Sequence, residues 1–281
     1  MTTLDILICT IDEGIQRVPK VLLPSMSDVT YVVSMQYTDE RFLHQIPQEL
    51  RQRTDVILTF QAGRGLSRNR NNAFDASAAD IVLITDDDMR LSRDGIERVR
   101  MIYDDNTQVD IALFRISDYD GKFFKRYPKS AMDYHKAKVQ GYYPASCEMS
   151  MRGSVIKYGL QFNESFGLGA SFLSSGEEDV FLKDAMDKRM NVRFFPVTIG
   201  ETDAKTTGSR FLEDVSVQRS KGAVFSYCYG TRSALWRITK ESLHYLFYKG
   251  KNPFPLFRHM WQGINYCRAL MKSNARDESN V

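Results

Sequence analysis

Four consecutive apolar residues, Ile81-Val82-Leu83-Ile84, run through Thr85 into three aspartates, Asp86-Asp87-Asp88, and no other stretch constrains the chain as strongly. Three of the four are β-branched, and a short apolar run of that kind between polar residues reads as a buried strand, or as a buried helix segment. In open α/β sheets, ligands bind beyond the carboxyl ends of the strands. Three adjacent anions repel one another unless they are solvated or neutralised. A divalent cation removes that repulsion, and carboxylate oxygens are the ligands that Mg²⁺ and Mn²⁺ prefer. Along an extended chain alternate residues share a side, which sets Asp86 and Asp88 together and turns Asp87 away. The same acids also fit a solvated turn that caps a helix beginning near Ser92.

Similar apolar runs occur earlier in the chain. Leu4-Asp5-Ile6-Leu7-Ile8-Cys9, Tyr31-Val32-Val33-Ser34-Met35 and Val56-Ile57-Leu58-Thr59-Phe60 each read as a strand, with Ile15 to Leu23 helix-like between the first two. Strands alternating with helical or loop segments are a βαβ pattern and predict a parallel sheet. Further on, a strand is expected near Ile111-Ala112-Leu113-Phe114, another at Cys147 to Arg152, and a helix from Gly176 to about Met190.

Composition excludes some functions. A formal charge of +3 over 281 residues gives no whole-protein case for nucleic-acid binding. Cys9, Cys147, Cys228 and Cys267 lie far apart and lack metal-type pair spacing. The first residues lack a signal-peptide pattern, and no apolar run reaches bilayer-spanning length. The expected location is the cytoplasm.

Gly63-Arg64-Gly65-Leu66-Ser67-Arg68-Asn69-Arg70-Asn71-Asn72-Ala73 lies between the third and fourth strands. Glycines entering a helix, with Ser67 as its N-cap, offer free backbone N–H groups, and the arginines suit phosphate or carboxylate. A capped surface helix with arginines on its wet face accounts for the same residues.

The order of these elements resembles family 2 glycosyltransferases. Leu7-Ile8-Cys9-Thr10-Ile11-Asp12 looks like the family's first strand and donor-binding loop. Gly65-Leu66-Ser67 with Arg70-Asn71 resembles its Gly-x-Ser…Arg-Asn helix start, and Asp86-Asp87-Asp88 its Asp-x-Asp motif. Gly167-Leu168-Gly169-Ala170, then Gly176-Glu177-Glu178-Asp179-Val180-Phe181-Leu182, is similar to the segment that carries the catalytic base.

The resemblance implies a GT-A α/β fold: a Rossmann-like, mostly parallel sheet with flanking helices and a C-terminal helical extension. It implies a catalytic domain over 1–233, with a nucleotide-sugar half (1–92) and an acceptor half (93–233), followed by an extension over 234–281. The activity implied is metal-dependent, inverting transfer of a sugar from a nucleotide-diphosphate sugar, UDP-linked by preference, to a hydroxyl of a glycan or lipid-linked acceptor in bacterial surface polysaccharide synthesis. Thr10, Asp12, Gln36, Arg70 and Asp86 would contact the donor. Asp86 and Asp88, with Glu201, would hold Mn²⁺ or Mg²⁺, and Glu178 or Asp179 would be the base. Aligning the apolar pair Phe181-Leu182 favours Glu178, whereas aligning by residue type gives Asp179 as well.

The chain departs from the family at several positions. Cys9 stands for the usual proline, Ile11 for an aromatic near the base, and Gln36 where many relatives carry an acid. Gln36 can still hydrogen-bond a base edge through its amide. Relatives often place a histidine near Gly200 to Arg210; here Glu201 or Asp203 is the substitute, in a loop suited to closing over a diphosphate.

An aromatic-basic stretch, Phe123 to Tyr143, suits either a sugar acceptor or the strands of a small second sheet. Residues 234–271 are aromatic and basic too, and fit a peripheral membrane contact, packing on the catalytic domain or a homo-oligomer interface. A nucleotidyltransferase, or a non-catalytic nucleotide-sugar-binding scaffold of the same fold, is the alternative function.

Overall fold

The computed structural model describes residues 2–135, 142–203, 211–250 and 252–278. The first strand, β1 (Leu4–Ile11), has both faces covered, as its near-continuous apolar sequence requires. Its residues alternate, and Leu4, Ile6 and Ile8 enter the main core with Ile15, Val18 and Val33. β2 (Val29–Tyr37), β3 (Val56–Ala62) and β4 (Ile81–Asp86) pair with it as a parallel set in the order β3-β2-β1-β4. Between them lie α1 (Gln48–Gln52) and α2 (Leu66–Ala76).

Ile15 to Leu23, expected to be helical, forms two short 3-10 turns instead, Asp12–Gln16 and Val18–Lys20. Pro19 explains the difference, because it supplies no N–H and fits only the first turn of a helix. Gly65 caps α2 at a φ of 135°, and Ser67 is buried one residue inside rather than serving as the cap.

β5 (Arg90–Leu91) is short and leads into α3 (Arg93–Asp105), which Ser92 caps by accepting the Gly95 N–H at 3.0 Å. β6 (Ile111–Ser117), β7 (Met132–Asp133), β8 (Met149–Arg152) and β9 (Val192–Glu201) complete the sheet, ordered β3-β2-β1-β4-β8-β6-β9-β5 with β7 on β9. β8 runs antiparallel to both β4 and β6, while β6 and β9 are parallel. A short α4 (Gly153–Lys157) follows β8, and α5 (Glu177–Asp187) precedes β9.

The chain divides into two compact units. One comprises Met1–Phe162 with Asp184–Ala204, and the other Asn163–Lys183 with Lys205–Val281. The second unit holds a hairpin of two long helices, α6 (Val215–Lys249) and α7 (Phe254–Glu278). The domain boundary expected at 233/234 falls inside α6, close to a kink at Gly230, where φ is 76°. One face of the hairpin is internal, with Ala234 and Ile238 packed against Leu256, Met260 and Ile264.

Candidate functional site

The carboxyl ends of β1, β2 and β4 meet at one edge of the sheet, where Cys9 pairs with Asp86 and Ile11 with Gln36. The acidic triplet divides there. Asp86 ends β4 half-buried, the chain turns through Asp87 and Asp88, and Asp88 is exposed. Asp87 is buried and tied down: Arg17 donates to its Oδ1 from Nε at 3.1 Å and from Nη2 at 2.7 Å, and Thr10 donates to Oδ2 at 2.5 Å. Burial pushes the Asp87 carboxyl above its ordinary pKa, while Thr10 and Arg17 pull it down. Gly14 makes room for this knot, because a Cβ there would stand 2.6 Å from Asp87 Oδ2. The triplet therefore contains one structural aspartate between two whose side chains reach solvent to different degrees.

Asp12, at a φ of 50°, accepts from the Thr38 N–H at 2.7 Å and so ties the β1 loop to the loop after β2. Gln36 is buried at the end of β2, and its Nε2 has no hydrogen-bond partner among the described residues. Thr10 is buried beside Asp87.

The α2 side chains build the wall behind this edge. Asn69 donates from Nδ2 to the carbonyls of Thr10 and Ser34, at 3.0 and 3.1 Å, and accepts from Ser34 Oγ. Asn71 exchanges two hydrogen bonds with the Phe162 backbone. Arg64 and Arg68 are exposed, as a wet helix face requires, but Arg70 is buried. Arg70 donates to Ser146 Oγ at 2.5 Å and lies over the Phe162 ring. It is also near Cys9, whose thiol burial pushes up to about 12; Arg70 opposes that shift, and Asp86 and Asp87 add to it.

Ser146 to Glu148 form a 3-10 turn ahead of β8, the antiparallel neighbour of β4. Glu148 is fully buried, bonded by Tyr127 OH at 2.5 Å and Lys125 Nζ at 2.8 Å. Burial pushes its carboxyl above the usual glutamate value, with Lys125 and Tyr127 acting against it. Tyr127 stacks on Phe194 and meets Tyr142, so this part of the aromatic-basic stretch is packed around a buried carboxylate. Sequence reasoning missed Glu148, Arg17 and Asn69. An acid among Cys and Met residues was the one available signal for the first.

Glu201 ends β9 opposite Arg90 of β5 and lines a cavity of about 190 Å³ with Arg90, Leu91, Ser92, Thr198 and Gly200. That volume is below the roughly 300–1,000 Å³ of pockets for larger small molecules. Among the described residues, no three His, Cys, Asp or Glu side chains gather as a metal cluster. Asp203 is exposed, and the loop expected to close beyond it, 204–210, lies outside the described residues.

Glu178 and Asp179 belong to the second unit, in the first turn of α5 with Glu177. Glu177 is buried, whereas Glu178 and Asp179 are half-buried. Gly176 precedes them at a φ of 91°, and a Cβ there would lie 2.3 Å from Val224 Cγ2, so both backbone and space demand glycine. Val180, buried with Phe166, Leu173 and Ala223, anchors this turn within its unit.

Comparisons with known proteins bear on the fold and on residues 39–161. That segment matches the family model "Glycosyl transferase family 2". Among curated proteins, none matches the sequence. Crystal structures of S. aureus TarS 1-349 share the fold. The complex with UDP has a TM-score of 0.56 at 14% identity, over 89% of this chain and 73% of that one. The complex with UDP-GlcNAc has a TM-score of 0.54 at 15% identity, over 87% and 73%. A longer TarS structure is matched over 44% of its length, with a TM-score of 0.54 at 15% identity. Residues 39–161 of this chain thus match the glycosyl transferase family 2 model, within a protein of GT-A fold.

Proposed function

We propose that the protein transfers a sugar from a nucleotide-diphosphate sugar, UDP-linked by preference, to a hydroxyl acceptor with inversion at the anomeric carbon. The observation that carries this reading is the division of the acidic triplet, with Asp87 consumed by Arg17 and Thr10 while Asp86 and Asp88 flank it at the sheet edge. The S. aureus TarS complexes with UDP and UDP-GlcNAc support a donor of this class.

Two carboxylates suit Mg²⁺ or Mn²⁺, which are commonly held by one or two carboxylates together with substrate phosphates. Asp86 and Asp88 would hold the ion, and Glu201 stands as an outer candidate on the strand paired with β5. When bound, such an ion neutralises charge developing on a diphosphate leaving group. Thr10 and Asp12 hold the loop that lines the donor side, and Arg70 stiffens the wall behind it through Ser146. Gln36 has a buried amide Nε2 available to donate to a carbonyl of the base, a polarity opposite to that of the acid usual in relatives, which accepts.

Glu178 is the proposed base. It accepts the proton of the acceptor hydroxyl as that oxygen bonds to the anomeric carbon and the bond to the diphosphate breaks, its electron pair leaving with the phosphate oxygen. One displacement with one base inverts the centre. The acceptor reading extends to a glycan or lipid-linked chain of a bacterial surface polysaccharide.

Glu178→Gln keeps volume but cannot accept a proton, so transfer should fall by about 10²-fold or more while donor affinity stays near wild type. Asp179→Asn is the internal control and should lose far less. The reverse ranking would move the base to Asp179, and small, equal effects in both would remove this turn from the chemistry.

A further inference from the structure

The outer face of the α6–α7 hairpin is unlike its inner face. Trp236, Leu243 and Phe247 recur along α6 at helical spacing and are each exposed, with Phe247 at 78%. Tyr248, in the last turn of α6, and Phe254, the first residue of α7, are also large and exposed, at 76% and 66%. Gly250, in the left-handed region at φ 61°, ends α6 there. A contiguous row of large exposed apolar side chains on a soluble surface marks an interaction site. The face cannot be turned inward, because the opposite side of the same hairpin already fills its core with Ile238, Met260 and Ile264.

Charge indicates what covers this face. From Ser242 to Arg276 the sequence has no Asp or Glu, and its cations are Lys249, Lys251, Arg258, Arg268, Lys272 and Arg276. Lys240 lies on the outer row itself, its Nζ 5.4 Å from the centre of the Trp236 ring. Glu241, just before this stretch, is engaged by Lys221 at 2.6 Å. Aromatic side chains bordered by Lys and Arg fit a layer with an apolar interior and an anionic surface. A second copy of the same face would bring cation against cation, and like charges across an interface oppose association. Among the described residues, no helix is long and apolar enough to cross a membrane.

We propose that the tip and outer face of the α6–α7 hairpin dock on an anionic lipid surface, with Phe247, Tyr248 and Phe254 entering the interface and Lys240 meeting the headgroups. The hairpin lies on the bilayer and does not span it.

Co-sedimentation with vesicles tests this without any assay of activity. The full chain should bind vesicles of phosphatidylglycerol and phosphatidylcholine, bind phosphatidylcholine alone much more weakly, and be released as salt rises from about 0.05 to about 0.5 M. The triple variant Phe247→Ser, Tyr248→Ser, Phe254→Ser should bind anionic vesicles at least about tenfold more weakly. Its thermal midpoint should match wild type, since all three side chains are exposed, and in a Trp261→Phe background, where Trp236 is the sole tryptophan, emission should shift to the blue at lower lipid concentration without the three substitutions than with them. Failure of the wild type to bind anionic vesicles at low salt would overturn the proposal. So would equal binding to neutral vesicles, or a folded triple variant that binds as wild type does. Light scattering that showed a lipid-free dimer abolished by the same three substitutions would assign the face to a second copy instead.

Discussion

Asp87 has the most constrained side chain of the acidic triplet. It is buried, and Arg17 and Thr10 satisfy both its oxygens. Arg17→Met would leave that carboxylate short of donors, at a cost of about 1–3 kcal/mol in unfolding free energy. The loss should shrink as pH falls and Asp87 takes up a proton, which urea unfolding at pH 7 and pH 4 would measure. A loss that grew on acidification would contradict this reading. Glu148 gives a second test of sign. Burial raises its pKa in the folded protein, so the native state binds the proton more tightly than the unfolded chain does. This contribution to stability is then present below the ordinary glutamate value and is lost as pH rises through the raised one. Glu148→Gln removes the slope, so its thermal midpoint relative to wild type should climb between about pH 4 and pH 8. A flat difference would show that Lys125 and Tyr127 fully offset burial. The roles of Arg17 and Glu148 were not legible in the sequence. Nothing near Arg17 signals a partner that lies 70 positions away, and contacts of that kind exist only once the sheet has formed.

The parallel strands β1 to β4 could be read from the sequence because each is an apolar, β-branched run with polar ends; β1, β2 and β4 are buried on both faces, whereas β3 is a half-exposed edge strand. β5 and β7 could not, since two-residue strands carry no periodicity. Ile15 to Leu23 misled because apolar spacing outweighed Pro19 in the reading, although proline decides the backbone. The hairpin of the second unit depends on two glycines that also gave no clear signal. A Cβ on Gly222 would lie 1.9 Å from the Met260 carbonyl oxygen, and one on Gly263 would lie 1.9 Å from that of Arg219. The helices cross with backbone against backbone, a contact that no larger residue permits. Gly222→Ala should cost about 1–3 kcal/mol through overpacking, despite alanine's better helix propensity. A calorimetric midpoint at or above wild type would show that the crossing yields more easily than its geometry implies.

At the scale of the whole molecule, the fold was the most legible property, because the order of strands, the Gly-x-Ser…Arg-Asn helix and the acidic strand end follow one another as the family resemblance implies. The candidate site was legible in part. Asp87 is buried between a half-buried Asp86 and an exposed Asp88, and a turn, not an extended strand, carries the last two. Arg70 is buried behind the edge with Ser146 and Phe162, and not on the wet helix face that its sequence also fits. The central claim is that Asp86 and Asp88 form the donor side of a nucleotide-sugar site. Thermal shift of the wild type and of Asp88→Ala with a panel of nucleotide sugars, with and without Mn²⁺, tests that claim most directly, since ligands of the native state raise its midpoint by mass action. The account predicts that a UDP-sugar with Mn²⁺ raises the wild-type midpoint, that the rise shrinks without the ion, and that Asp88→Ala folds but loses the ion-dependent part. An equal Mn²⁺-dependent rise in Asp88→Ala, or no response of the wild type to any nucleotide sugar with the ion present, would contradict it.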